Sequence, residues 1–352
     1  MNSTAADSLR PYLKLLKGVS RSFYLTLRVL PASIRPPIGL AYLLARATDT
    51  IADTELVALG RRQAALGELQ ARILGQAKGR LDLTGWIEGG GQEPEKALLR
   101  RLEEILDRLE QSGAADRELI RQVLGIIISG QELDLTRFGD ASARQIASLQ
   151  TDSDLDDYTY RVAGCVGEFW TRVCLAHLFS EREVEPAWML AQGIRFGKGL
   201  QLVNILRDIA ADLRRGRCYL PLEELRKVEL APADLLSSAS ASRFNPLYQG
   251  YLAKAEAHLA AGWAYTNALP RRCLRVRLAC AWPILIGTKT LEKLAEGEVL
   301  VPGRTIKVRR AEVRRIMVRS LVYYPWPSSW QRLYLIKNQK QKLISAMFPG
   351  KE

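Results

Sequence analysis

The chain has 352 residues, 47% of them hydrophobic and 25% charged, which supplies a large core and excludes a disordered polymer. Its formal charge is +13, from 51 Lys and Arg against 38 Asp and Glu, so an anionic partner is expected: nucleic acid, an acidic membrane face or a phosphorylated substrate. Five scattered cysteines without a C-x-x-C pair exclude a disulfide framework and point to reduced, buried thiols, and His177 and His258 are too few for a His-rich metal site.

In chain order, the N-terminus MNSTAADSLRPYLKLL lacks the basic-then-apolar layout of a signal peptide. Apolar residues then recur at three- and four-residue spacing over 37–53, 98–111, 115–134, 156–180, 186–212, 248–268, 273–297 and 308–322, which predicts helices. Pro and Gly punctuate between them, at Pro31 to Pro37, Gly85 to Pro94, Gly139, Pro221, Pro232, Pro246, Pro270 and Pro302. Strand alternation is nearly absent. The run Leu278 to Gly287 falls short of the ~18–20 apolar residues that span a bilayer, so the protein is expected to be soluble or to rest on a membrane. Without repeats or a linker, the expected architecture is one all-α domain over residues 1–352. The segments 156–176 and 194–209 are apolar nearly all round and are expected inside, walling a central hydrophobic cavity.

Two aspartate pairs interrupt this pattern. Asp49 and Asp53 end IGLAYLLARATDTIAD, and Asp208 and Asp212 end LQLVNILRDIAAD. Four-residue spacing puts both carboxylates of a pair on one helical face. Two such pairs suit a hard divalent cation such as magnesium, whose shell is completed by water and phosphate. A solvent-facing position accounts for either pair alone. However, Gln201, Asn204, Asp208 and Asp212 form a polar stripe on an otherwise apolar helix, and Arg46 and Arg207 accompany the carboxylates. The basic run Arg214-Arg215-Gly216-Arg217 fits a diphosphate or, equally, a complement to the helix dipole.

Five segments in order, SRSFYLTLRVLP (20–31), AYLLARATDTIAD (41–53), DYTYRVAGCVGEFW (157–170), LQLVNILRDIAADLRRGRCYLP (200–221) and IKVRRAEV (306–313), resemble the squalene and phytoene synthases, which join two prenyl diphosphates head to head. The resemblance covers about residues 15–320 and implies an isoprenoid-synthase helical bundle. It implies that Asp49, Asp53, Asp208 and Asp212 hold Mg2+, and that Ser20, Arg21, Ser22, Arg46, Asn204, Arg207 and Arg217 bind diphosphates, with Tyr42 and Gln201 close by. Phe23, Leu27, Val162, Val166 and Leu202 would line the prenyl channel, and Tyr158 would handle a proton in the first half-reaction. For Tyr158 the alternative is a packed core tyrosine with its hydroxyl satisfied.

Thr50 in D-T-x-x-D and the stretch IKVRRAE lean toward a squalene synthase acting on farnesyl diphosphate, with Lys307 and Arg309 on the phosphates of NADPH. A solvated basic loop is the other reading of that stretch. Ala52 and Ala211, where such enzymes commonly carry Glu, and the spelling Tyr160-Arg161 lean toward phytoene, dehydrosqualene or hydroxysqualene synthases. A cytoplasmic monomer of sterol or hopanoid biosynthesis is expected, with the tail at about 323–352 resting on a membrane. A non-catalytic assembly factor of the same fold would have lost its aspartates, and no nucleic-acid recognition motif is present.

Overall fold

Helical periodicity along nearly the whole chain leaves helix packing as the way to satisfy backbone and bury apolar faces together. The computed structural model describes residues 10–20, 23–89, 92–301, 303 and 306–334. The described helices are α1 (Leu13–Val19), α2 (Phe23–Val29), α3 (Arg35–Asp53), α4 (Leu59–Ile73), α5 (Thr84–Glu88), α6 (Glu93–Arg100), α7 (Leu102–Glu110) and α8 (Ala114–Phe138). They continue as α9 (Asp152–Thr159), α10 (Cys165–His177), α11 (Pro186–Arg214), α12 (Leu222–Lys227), α13 (Ala241–Ala268), α14 (Leu274–Ala295) and α15 (Arg310–Tyr323), and residues 327–334 are helical as well.

The all-α expectation holds, with three local departures. The segment 98–111 is divided at Arg101 into α6 and α7. The segment 156–180 is not a continuous α-helix, because Tyr160–Gly164 is a π-helical turn between α9 and α10. Pro246 lies inside α13 instead of bounding it, because packing of that helix on α11 outweighs one lost backbone donor. One short parallel pairing also forms, β1 (Ala147–Ser148) with β2 (Arg217–Cys218). It pins the chain leaving α11 to the loop after α8.

Helix α11 is the hub, packing on α10, α13, α14 and the π turn, while α3 packs on α8. Its start is fixed by Glu185, whose carboxylate accepts from Ala187 N and Trp188 N, with Pro186 in the first turn. Two apolar clusters result. One holds Leu43, Leu44 and Ile51 of α3 with Leu124 and Ile128 of α8. The other holds Leu202 and Leu206 of α11 with Leu259 and Ile284. The functional cleft lies where α3, α8, the π turn and the end of α11 meet. All five cysteines are buried and unpaired. No helix among the described residues is long and apolar enough to cross a membrane.

Candidate active site

Asp49 and Asp53 occupy the last two turns of α3. Trp86 Nε1 donates to Ile51 O at 3.1 Å and Arg62 Nη1 to Ala52 O at 2.9 Å, which satisfies carbonyls at the helix end and fixes its direction. Asp49 accepts from the Gln131 amide of α8 and stands 4.0 Å from Arg46, whose guanidinium is shared with Glu95. Burial in the cleft, reinforced by Asp53 a turn away, pushes the Asp49 carboxyl up to about 6 against the opposing pull of Arg46 and Gln131.

The second pair sits at the end of α11. Arg207 grips Asp208 through two bonds of 2.9 and 2.5 Å. Asp212 is raised to about 6 by burial and by Asp208, opposed by Arg215, Arg217 and Arg207. Arg214 donates to Ala210 O at 2.6 Å, so it serves the helix terminus. Gly216 takes a left-handed φ of 82°, and its α-carbon is packed so closely on the Ala141–Ser142 backbone that no side chain fits. That turn delivers Arg217 to a point 3.9 Å from Asp53. Arg217 therefore acts on both pairs, which come from opposite halves of the sequence.

Around Arg217 lies a network that the sequence did not announce. Asp134 of α8 is pushed up to about 7, chiefly by burial and also by Asp53, with Arg217 and Tyr219 opposing. Tyr219 donates its hydroxyl to Asp134 at 3.4 Å. Tyr158 stacks on Tyr219 with ring centroids 4.7 Å apart. Burial, then Asp134 and Tyr219, hold the Tyr158 phenol well above its ordinary value, so it stays protonated.

Asp49, Asp53, Gln131, Asp134, Tyr158 and Arg217 give the polar groups of a cavity of about 300 Å³, whose wall is completed by apolar residues such as Ala45, Ile127 and Leu135. Val162 and Val166 belong equally to its wall and to that of a second, apolar cavity of about 380 Å³. Phe23, Trp170, Phe196, Leu200 and Tyr265 wall the second cavity. A chamber with charged groups thus shares a wall with a greasy one. The π turn lies at this junction, carrying Val162 and joining Tyr158 at the end of α9 to Val166 in α10; such turns recur at functional sites. On its far side, α10 crosses α11 backbone to backbone at Gly167 and Gly193, where a Cβ on Gly167 would collide with the Gly193 carbonyl. Both glycines line the apolar cavity, so the missing side chains permit the crossing and leave the hollow.

Of the residues predicted from the sequence, Asp49, Asp53, Tyr158, Val162, Val166 and Arg217 line the polar cavity, and Phe23 lines the apolar one. Asp208, Asp212 and Arg207 lie at the end of α11 outside the walls of both cavities, with Asp212 in electrostatic reach of Arg217. Tyr42 stacks on Phe23 at 4.5 Å and donates to Val19 O, beside the buried Ser20. Arg21 and Ser22 lie outside the described residues, as does the tail from 335 onward. Leu27 and Leu202 are buried in the two core clusters and back the walls without lining either cavity. Along the stripe on α11, Gln201 is half-buried and Asn204 exposed. Lys307 and Arg309 are exposed at the approach to α15, where Arg309 N donates to Glu312 at 2.8 Å. Gln131, Asp134 and Tyr219 were not singled out. The available signal was the pair Gln131 and Asp134, one turn apart on the apolar helix after Gly130.

The family model described as Squalene/phytoene synthase matches residues 16–314. A bifunctional lycopene cyclase/phytoene synthase of Blakeslea trispora is 28% identical over 302 residues, which are 82% of this chain and 45% of that protein. The chain thus spans less than half the length of that relative. A presqualene diphosphate synthase of Rhodopseudomonas palustris is 30% identical over 258 residues, 73% of this chain and 78% of its own length. Among solved structures, a ligand complex of TcSQS superposes with a TM-score of 0.75 at 21% identity, covering 94% of this chain and 91% of that one; this likeness speaks for the fold.

Proposed function

Because the chain belongs to the squalene/phytoene synthase family, whose members condense prenyl diphosphates head to head, we propose that it couples two farnesyl diphosphates to presqualene diphosphate and reduces this to squalene with NADPH. One observation carries the coupling: a carboxylate- and arginine-lined chamber that shares Val162 and Val166 with an apolar cavity. An allylic diphosphate has the same two-part character, with a strongly anionic head and a hydrocarbon tail.

The donor set fits magnesium. Each pair offers two hard carboxylate oxygen donors, and the raised Asp49 and Asp212 are carboxyls that a nearby cation would hold ionised. Among the described residues no three acidic, His or Cys side chains converge into a cage made by the protein alone. That suits an ion that keeps waters and substrate phosphate oxygens in its shell. In this reading Asp49, Asp53, Asp208 and Asp212 hold the ions, whose chemistry is to neutralise charge on the departing diphosphate.

The protein's own groups do the remainder. Arg217 lies at the meeting of both pairs and stabilises the diphosphate oxygens as the carbon–oxygen bond breaks. Arg46 and Arg207, preset by Glu95 and Asp208, hold the heads in register. Val162, Val166, Phe23 and Trp170 keep the allylic cation away from water until the second chain reaches it. Tyr158 takes up the proton lost as the cyclopropane closes while its own hydroxyl proton passes through Tyr219 to the Asp134 carboxylate. Lys307 and Arg309 meet the phosphates of NADPH.

A second reading ends the reaction at presqualene diphosphate. It is favoured by the relative from R. palustris and by the position of Lys307 and Arg309, exposed and outside the walls of both cavities. One incubation with farnesyl diphosphate and magnesium separates the two. Squalene formed only with NADPH is the expected result. Presqualene diphosphate that accumulates with or without NADPH selects the second reading. Product from geranylgeranyl diphosphate alone overturns the choice of substrate.

A further inference from the structure

Helix α15 has two apolar faces. Its inner face supplies Val313 and Met317 to the wall of the apolar cavity, and is anchored by Ser320, whose hydroxyl accepts from Trp282 Nε1 of α14 at 2.9 Å. Its outer face exposes Val318, Leu321 and Val322 at 59%, 50% and 52%, continued by Trp326 at 59%. Three- and four-residue spacing gathers Val318, Leu321 and Val322 on one face of α15, and Trp326 follows just beyond the helix end. Arg314, Arg315 and Arg319 stand exposed beside it. The acidic side chain of α15, Glu312, is turned away and paired with Lys293 at 2.6 Å. An aliphatic and Trp patch bordered by arginines without a facing carboxylate is the composition of a helix that lies in a lipid interface.

The charge selects the occupant. The chain beyond the described residues carries Lys337, Lys340, Lys342 and Lys351 against Glu352, so it brings almost no opposite charge to these arginines. A second copy of α15 would set arginines against arginines. We propose that the outer face of α15 docks on an anionic lipid surface, so that the cavity walled by its inner face discharges a hydrocarbon product into the bilayer. The discharge step rests on the function proposed above; the docking itself does not.

Flotation tests the docking without any substrate. The full chain is expected to float with vesicles of phosphatidylcholine containing phosphatidylglycerol, and far less with phosphatidylcholine alone. Each arginine at an anionic surface is worth about fivefold in partitioning, so Arg314→Gln with Arg315→Gln lowers binding on the order of 25-fold. Leu321→Glu with Val322→Glu abolishes it, while a chain ending at Tyr334 still floats. All these variants keep their turnover in detergent solution. Wild-type flotation of the Leu321/Val322 variant overturns the proposal, as does loss of flotation on removal of the tail alone. A change of oligomeric mass with unchanged flotation also overturns it, since it would assign the face to a second copy. Loss of turnover in detergent with flotation intact would place the helix in the catalytic machinery instead.

Discussion

Replacing Asp49 or Asp212 by Asn preserves shape and removes the charge that a cation needs. With four carboxylates shared between the pairs, loss of one is expected to lower kcat by about 10²-fold or more, the scale of losing a preorganised electrostatic contact, and to raise the magnesium concentration for half-maximal rate. Steady-state kinetics over a magnesium titration check both. Asp134 makes a different prediction. Its carboxyl is held near 7, so in the metal-free protein the folded state keeps a proton that the unfolded chain releases. Stability therefore falls as pH rises from about 4 to 7, and the whole cost is present above that. Asp134→Asn removes this cost while leaving an acceptor for Tyr219. Its melting temperature should exceed that of the wild type by on the order of a few °C at about pH 8, with the gain absent at about pH 4. The aspartate pairs were legible because a repeat on one helical face is a pattern. Asp134 is a single carboxylate, and only the approach of Arg217 and of Tyr219, 85 residues further on, gives it meaning.

Among the elements, the junction between the π turn, α10 and α11 carries the most structural consequence. Gly167→Ala would drive a methyl group into the Gly193 carbonyl of α11. The two helices must separate, at a cost of about 1–3 kcal/mol by the usual scale of overpacking. Because Val162 and Val166 ride on the same segment, the shift should also impair coupling in the protein that remains folded. Denaturant unfolding and activity per folded molecule measure the two effects separately. The long helices are legible in the sequence because their apolar period is continuous. The sequence did not reveal the π turn, because a widened turn leaves the apolar run of YRVAGCVG unbroken. It did not separate α6 from α7 either, since the break at Arg101 involves neither Gly nor Pro. Leu27 and Leu202 are buried in the core clusters, and an apolar position reads the same in a sequence whether it lines a hollow or backs its wall.

At the scale of the molecule, the site is assembled from α3, α8, the π turn and the end of α11, segments far apart in sequence. A ligand that engages both aspartate pairs binds only the folded state. Magnesium with a non-hydrolysable prenyl diphosphate at about 100 times its dissociation constant should add about 2.7 kcal/mol to stability. Magnesium with Asp53→Asn or Asp208→Asn should add much less. Thermal melts across a ligand titration give the comparison. That the chain folds into an all-α bundle followed from its periodicity. That the two pairs face a common arginine did not, since it depends on the turn at Gly216 and the β1–β2 pairing, which rest on a few residues.

The five buried thiols give the molecule a built-in gauge. Burial pushes Cys165 and Cys218 up to about 12, far from the range in which a thiolate reacts readily. In the intact protein a maleimide dye should therefore label almost nothing, and its uptake would time the opening of individual regions. Cys280 is the informative position, because it forms part of the apolar cavity wall. Its labelling should slow when a prenyl chain occupies that space, while the rate at Cys218, flanked by the cavity-lining Arg217 and Tyr219, should slow when a diphosphate occupies the charged chamber. Mass spectrometry of the labelled peptides would then follow the filling of the two compartments separately, without a spectroscopic tag.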